Sequence, residues 1–553
     1  MNEYIVTCRS HEELVDLYDD METPGGNLYI PDRAVDLVHR RAISRNTHYM
    51  LTEEEAEQVR NDPRVIACER PAKDRGIVPR PFWTQTGDFE KTIGTLQSDD
   101  KNWGLYRVIE GDTVANWGSD STTEISNRTI VTTASGKNVD VVVVDDHVNP
   151  DHPEFAVNSD GTGGSRVNQF NWFQYNSVLG YGSNGTYTYS TSGSSPNGNH
   201  GTHVAGTVAG NTQGWARDSN IYNMAFSDSL SGVTDWDEKL WDYLRHFHKN
   251  KAVNPDTGRR NPTITNHSWG YSYNDINLSA LTSVTYRGTT TALSGTDAQK
   301  RTVLEANGVP VPAGTYLYAT PARVAAVDAD IQDAINDGVI VISSAGNSYW
   351  NCDVSGGNDY NNSINAGGTL YHSRGSTPGS ADNVICVGSI GSKVAEYKSN
   401  FSNWGERVDI WGPGSDIISS VYDSSSAATE GGYTPLVQDS RNSSYYLASI
   451  SGTSMSSPQV CGVIACLAEQ EPYLTQAEAL QHLKENALSE IGTTGTINQS
   501  TYEAFGDGPN RYLFMPKKRP TSGTLSPAFL HKNRNSDTDG IKYPRVRSNR
   551  VFK

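Results

Sequence analysis

No stretch of this 553-residue chain strings together the roughly 20 apolar residues that a membrane-crossing helix needs, and the mean hydropathy is -0.56. Cysteine is scarce. Cys8, Cys68, Cys352, Cys386, Cys461 and Cys466 are the whole set, and their spacing builds neither a zinc site nor a dense disulfide framework. They read as small buried hydrophobes, with Cys352, in a loop, the best candidate for a reactive thiol. Positive charge is in deficit: 45 Lys and Arg face 63 Asp and Glu, a net charge of -18. That argues against general nucleic-acid binding. The first residues, MNEYIVTCRSHEELVDLYDD, carry neither the basic head nor the apolar core of a secretory signal. A cytoplasmic location is therefore expected over classical secretion.

What the chain does have is the segment Ser451-Gly452-Thr453-Ser454-Met455-Ser456-Ser457-Pro458, followed by small and apolar residues. It reads as a loop running into a buried helix. Gly452 permits a tight turn, and Pro458 is expected near the helix start, where its missing N–H matters little. A serine there is ordinarily an N-cap. It can also be a nucleophile whose own N–H lies at the positive helix end. Three other segments favour the second reading. Val141 to Val144 read as a strand buried on both faces that ends at Asp145, and ligand chemistry in open α/β sheets gathers at carboxyl ends. The stretch NGNHGTHVAGTVAG, residues 197–210, reads as a helix with His200 in its first turn and small residues for close packing. Val339 to Ile342 read as a second buried strand, with Asn347 just past a small-residue exit; a side-chain amide there can donate to an oxyanion. His200 and His203 are three apart without the intervening glutamate of a zinc protease, so a metal-dependent hydrolase is the weaker alternative.

In this order the blocks HGTHVAGTVAG, AGN and GTSMSSP resemble the subtilisin-like serine proteases. The resemblance implies Asp145, His200 and Ser454 as the triad and Asn347 as the oxyanion donor. It also implies Ser268, Trp269 and Gly270 as the segment that pairs with an extended substrate. The family's aspartate block usually continues with Ser or Thr and then Gly; here it is Asp145-Asp146-His147. His152-Pro153 follows Asp145 by the family's offset of seven and eight, which selects Asp145 over Asp146. The implied activity is a serine endopeptidase acting on protein or peptide substrates, with no cofactor required and no metal in the site. Structural calcium is common in the family, and the carboxylates and amides near Asp353 to Asn362 are the candidates here.

The implied fold is α/β, a mostly parallel sheet flanked by helices, preceded by a small α+β domain. The expected organisation is 1–72 as that domain, 73–101 as a linker with a processing site, 102–515 as the catalytic domain and 516–553 as a basic, disordered tail. The first unit shows strand-like and helix-like runs, including the capping box Thr52-Glu53-Glu54-Glu55. Its stretch LTEEEAEQVRNDPRVIACERP resembles the family's inhibitory propeptide, which implies a self-processing zymogen with its own N-terminal domain as inhibitor. Pro79 and Pro81, with Pro71 just before, mark the linker, and Asn102-Trp103-Gly104-Leu105 resembles a mature start. Inserts rich in Gly, Ser, Asn and Tyr occupy about 157–198, 271–320 and 421–447. The tail carries ten Lys and Arg against two Asp, which suits a solvated tail. The alternative from another class is a structural or binding protein, such as a viral-particle component, that keeps the protease fold.

Overall fold

A computed structural model describes residues 1–30, 36–40, 44–71, 74, 83–90, 96–111, 124–190, 198–312, 314–392, 396–422, 436–489, 491–492, 506 and 508–515. The expected tail at 516–553 and the middle of the third insert, 423–435, lie outside these residues. The chain divides into two compact units, Met1–Pro81 and Phe82–Lys553.

The first unit is a four-stranded antiparallel sheet in the order Asp36–Arg40, Asn46–Leu51, Asn2–Cys8, Val65–Glu69. Helices His11–Glu22 and Glu53–Arg60 each open on a complete capping box, Ser10 with Glu13 and Thr52 with Glu55. Each box satisfies two of the helix's orphan N–H groups. Alternating burial along Asn2–Cys8 sends Tyr4, Val6 and Cys8 into a core shared with Leu14, Leu17 and Met21.

The second unit is built on a seven-stranded parallel sheet. Its order is Ile410–Pro413, Ile385–Ile390, Ile340–Ser344, Thr263–His267, Asp140–Asp145, Asn220–Ala225, Val167–Asn168. The valine run of Asp140–Asp145 is buried throughout because both sheet faces are covered. Val141 and Val143 point into a core with helices Gly198–Ala209 and Thr453–Gln470. Val142 and Val144 point into the opposite core with helices Trp236–Asn250 and Ala325–Asn336. After Asp140–Asp145 the chain builds two strands on one side and then crosses to the other. That strand is therefore the topological switch point, where such sheets open a crevice.

Part of the stretch expected to be linker is sheet. Trp83–Glu90 pairs antiparallel with Glu124–Thr132 and, at its end, parallel with Lys101–Asn102. Phe89 is fully buried in the main core against Tyr106, and the Gln85 amide donates to the Thr212 carbonyl at 2.7 Å. The inserts carry structure of their own. The segment 271–320 joins residues 350–370 in a separate core around Leu278, Val284, Leu304, Trp350 and Ile364. Residues Leu436–Asp439 and Asn442–Ile450 form a hairpin that extends Ile417–Val421 into a three-stranded antiparallel sheet. Among the described residues, no helix is long and apolar enough to cross a membrane.

Candidate active site

Asp145 is the last residue of the switch-point strand and is 1% exposed. Its Oδ1 accepts the Asp146 N–H at 2.9 Å and lies 2.7 Å from His200 Nδ1. Asp146 does something else. Its Oδ1 takes the Gly201 N–H at 2.5 Å, anchoring the first turn of the histidine helix through a charge-assisted bond at the positive helix end. A Cβ on Gly201 would sit 2.5 Å from that oxygen, so only glycine allows the approach. The His200 side chain is 28% exposed against 2% for Asp145: the imidazole bridges a buried carboxylate and the open cleft.

His203, one turn along, is committed elsewhere. It is fully buried, and its Nε2 donates to the Ile417 carbonyl at 2.9 Å and the Ala448 carbonyl at 3.1 Å. Burial pulls its pKa down to about 3. It is thus a core histidine tying its helix to the 417–450 sheet, which removes the basis for a metal site on His200 and His203. Among the described residues, the one group of three metal-capable side chains is Asp145, Asp146 and His200 themselves. His147, in place of the family's usual glycine, is buried. Its Nδ1 lies 3.3 Å from Asp228 Oδ2, and its ring packs on Tyr189 and Tyr422.

Ser454 is the second residue of helix Thr453–Gln470, which starts at the carboxyl end of the sheet: the Gly452 N–H donates to the Gly414 carbonyl just past strand Ile410–Pro413. Ser454 is not a cap; its Oγ donates to the Ser268 carbonyl at 3.1 Å. Gly452 has φ 170, ordinary extended backbone and not the tight turn expected. Its small size matters for room, since a Cβ would lie 3.4 Å from Asn347 Nδ2. Pro458 is also not at the helix start, but inside the helix.

Asn347 is exposed, and its amide is oriented. Its Oδ1 accepts the Thr453 N–H at 2.8 Å and the Thr453 hydroxyl at 2.7 Å, which turns Nδ2 toward Gly452 and the helix start. The loop that carries it is held by Asn403, a residue sequence reading left without a job. Asn403 Oδ1 accepts the N–H groups of Ser348 and Trp350 at 3.1 and 3.0 Å, and its Nδ2 donates to the Ala345 carbonyl at 2.8 Å. Its local sequence, Phe401-Ser402-Asn403-Trp404-Gly405, gives no sign of this role; only the fold reveals what it touches.

Ser268, Trp269 and Gly270 follow the end of strand Thr263–His267, so their main chain is not tied into the sheet. The Ser268 side chain is buried and faces the serine helix, whereas Gly270 is exposed. The structure therefore separates the three: Ser268 lies under Ser454, and Gly270 lies on the surface. Trp269 is part-buried among Phe226, Trp236 and His267.

Two further expectations fail on contact geometry. Asp353 accepts the N–H groups of Val354 and Asp359 at 2.8 Å each, and Asp359 is ion-paired to Arg287 at 2.8 Å. A guanidinium sits where a calcium ion would need free oxygens, so this cluster does not suit one. Cys352 is buried and burial raises its pKa far above the usual thiol value, the opposite of a reactive cysteine.

A model of the subtilase family matches residues 136–513. Subtilisin-like protease 3 of Arthroderma otae is 27% identical over 416 residues, 74% of this chain and 70% of that protein. The alkaline proteinase of Hapsidospora chrysogena is 26% identical over 347 residues, 62% of this chain and 57% of that protein. A solved cold adapted subtilisin-like serine proteinase is 21% identical, covers 74% of this chain and 97% of its own, and superposes with a TM-score of 0.41. The match across the parallel sheet and both flanking layers makes this chain a member of the subtilase family, a serine-type endopeptidase.

Proposed function

We propose that Ser454 is the nucleophile of this peptidase, His200 its general base and acid, Asp145 the carboxylate that orients the imidazole, and Asn347 an oxyanion donor. The observation that carries this is the 2.7 Å contact of His200 Nδ1 with the buried Asp145 carboxylate. That contact lies at the carboxyl end of the parallel sheet, where the Asn347 loop and the Ser454 helix also begin. With Nδ1–H donated to Asp145, Nε2 is the lone-pair nitrogen. Ser454 Oγ leaves its resting bond to the Ser268 carbonyl, passes its proton to Nε2 and attacks the scissile carbonyl carbon. The oxyanion lies against Asn347 Nδ2 and the Ser454 N–H in the unpaired first turn of its helix. His200 returns the proton to the leaving amine, then activates a water that releases the acyl group from Ser454. No cofactor enters: every proton moves between Ser454, His200, water and substrate.

Substrate lies as an extended strand along the main chain of 268–270. The Met1–Pro81 unit acts as the intramolecular inhibitor of a self-processing zymogen. Cleavage before Asn102 would leave Trp83–Glu90 held to the catalytic unit only by its pairing with Glu124–Thr132, and would put a charged amine at the buried position where the Asn102 N–H donates to Gln213 Oε1 at 2.8 Å. The sheet pairing therefore favours a cut N-terminal to Trp83. The test is expression of the full chain beside Ser454→Ala, with intact-mass measurement and N-terminal sequencing after incubation. The wild type should lose its first unit and label with a fluorophosphonate; the variant should do neither. An uncut full-length mass for both chains would refute self-processing, and absent labelling of a processed chain would refute the nucleophile.

A further inference from the structure

Pro458 sits within helix Thr453–Gln470, four residues after Ser454. In an α-helix the N–H at position 458 would bond the carbonyl at 454. Proline has no N–H, so the nucleophile's own carbonyl loses its helical partner. The replacement comes from outside the helix: Ser268 Oγ lies 2.9 Å from the Ser454 carbonyl oxygen. Two more polar groups surround that hydroxyl. Asn266 Nδ2 donates to Ser268 Oγ at 2.9 Å, and Ser457 Oγ lies 2.9 Å away. The Ser454 carbonyl can only accept, so Ser268 Oγ gives it its single proton and keeps its lone pairs for the Asn266 amide and the Ser457 hydroxyl. All four residues are buried. From the other side, the Ser268 carbonyl accepts the Ser454 hydroxyl at 3.1 Å. One residue thus holds both ends of Ser454.

We infer that Ser268 is a positioning residue for the nucleophile, acting as a surrogate for the helix donor that Pro458 removes, and that its side chain has no part in holding substrate. The carbonyl direction at Ser454 sets the plane of the 454–455 peptide. With it goes the backbone of Ser454, whose N–H is a proposed oxyanion donor and whose Oγ must reach the scissile carbon. A carbonyl left without a donor in this buried place will tilt to find one, and small displacements of reacting groups are costly to turnover.

The inference rests on Ser454 being the nucleophile, and a two-background experiment separates the two claims. Ser268→Ala is made in the wild type and in Pro458→Ala, where residue 458 regains an N–H for the Ser454 carbonyl. Activity is measured on a peptide substrate, with rates expressed per site titrated by a fluorophosphonate so that misfolded protein drops out. In the wild-type background kcat should fall about tenfold, the loss of one hydrogen bond to a buried acceptor, with KM changed less than about twofold. In the Pro458→Ala background the same substitution should change kcat by less than about twofold, because the helix now supplies the donor. An equal fold loss in both backgrounds overturns the inference, as does a rise in KM at constant kcat, which would put Ser268 on the substrate side. If Ser268→Ala alone does not accumulate folded, the double variant should, for the same reason; failure of both overturns the inference too. Activity surviving in Ser454→Ala would instead remove the nucleophile assignment itself.

Discussion

Two adjacent aspartates stand at the mouth of the sheet, and their contacts assign them different work, so Asp145→Asn and Asp146→Asn should behave differently. Asp145 Oδ1 faces both His200 Nδ1 and the Asp146 N–H, while Asp145 Oδ2 is buried without a hydrogen-bond partner among the described residues. An asparagine at 145 can keep its carbonyl toward both donors, which preserves the tautomer but removes the charge. A carboxylate and an imidazolium about 4 Å apart interact by about 4 kcal/mol at an effective dielectric of 20, a loss of about 10³ in kcat. If the amide instead turns its NH2 to the ring, the tautomer is wrong and the loss approaches 10⁴, as in the trypsin-like triad. Asparagine at 146 still accepts the Gly201 N–H through its carbonyl. It forfeits a charge at a helix start, about 0.3–1 kcal/mol of stability, and an interaction with the imidazolium made without the direct contact that Asp145 has, about tenfold in kcat. The assay is kcat on a chromogenic peptide with thermal midpoints for both variants. Asp145→Asn should keep its midpoint and lose turnover by at least two orders of magnitude more than Asp146→Asn. Equal losses, or a larger loss at 146, would refute the division of labour.

Asn347→Asp keeps an acceptor for the Thr453 N–H but no longer donates, so kcat should fall by about 10² to 10³ with KM little altered; turnover within a few fold of wild type would remove Asn347 from the oxyanion site. Burial holds His203, His267 and His372 at about 3, well below the ordinary value near 6.5. Between those values the unfolded chain binds protons that the folded chain refuses. Stability is therefore whole above about pH 6.5 and is lost as pH falls through the window, by up to about 1.4 kcal/mol per unit for each ring. A urea midpoint that does not fall between pH 7 and pH 5 would contradict this. Burial alone would raise the Glu154 pKa, but the Arg441 guanidinium and Thr212 outweigh it and hold the group at about 2. Arg441→Met should leave a stranded charge and cost about 3–5 kcal/mol, and adding Glu154→Gln should recover much of it; purely additive losses in that cycle would argue against the pairing.

The central sheet was readable because its signal is local. Four consecutive valines announce a strand covered on both faces, and Thr52 with Glu55 announces a helix start. The set of candidate site residues was likewise readable as ordered blocks. Contacts were another matter. Trp83–Glu90 passed for linker because its strand partner, Glu124–Thr132, lies some forty residues away, and neither run has the apolar alternation that would betray pairing. Asp353 to Asn362 passed for a cation cradle because the sequence cannot show Arg287 reaching across from a distant hairpin. Cys352 passed for a loop thiol because the core that buries it is contributed by residues 278–317. Pro458 reads as a proline early in the helix whose missing N–H costs little, whereas it lies in the second turn, and the compensation that makes this tolerable comes from Ser268, almost two hundred residues before it.

That last point bears on why this chain carries so much material around its cleft. The Asn347 loop is short and Gly-containing, with Asn347 exposed at its tip, and a donor there is useful only if it stays still. On one side Asn403 ties the N–H groups of Ser348 and Trp350. On the other, the Trp350 ring is fully buried in the core that the 271–320 insert brings with it, packs at a tilt of 40° against His372, and donates through Nε1 to the Tyr318 carbonyl. The insert therefore supplies the second clamp on the proposed oxyanion loop, three residues beyond Asn347. Its core is separate from the sheet core, so its packing can change without disturbing the strands, yet any slackening at Trp350 is passed along the short tether to the Asn347 amide.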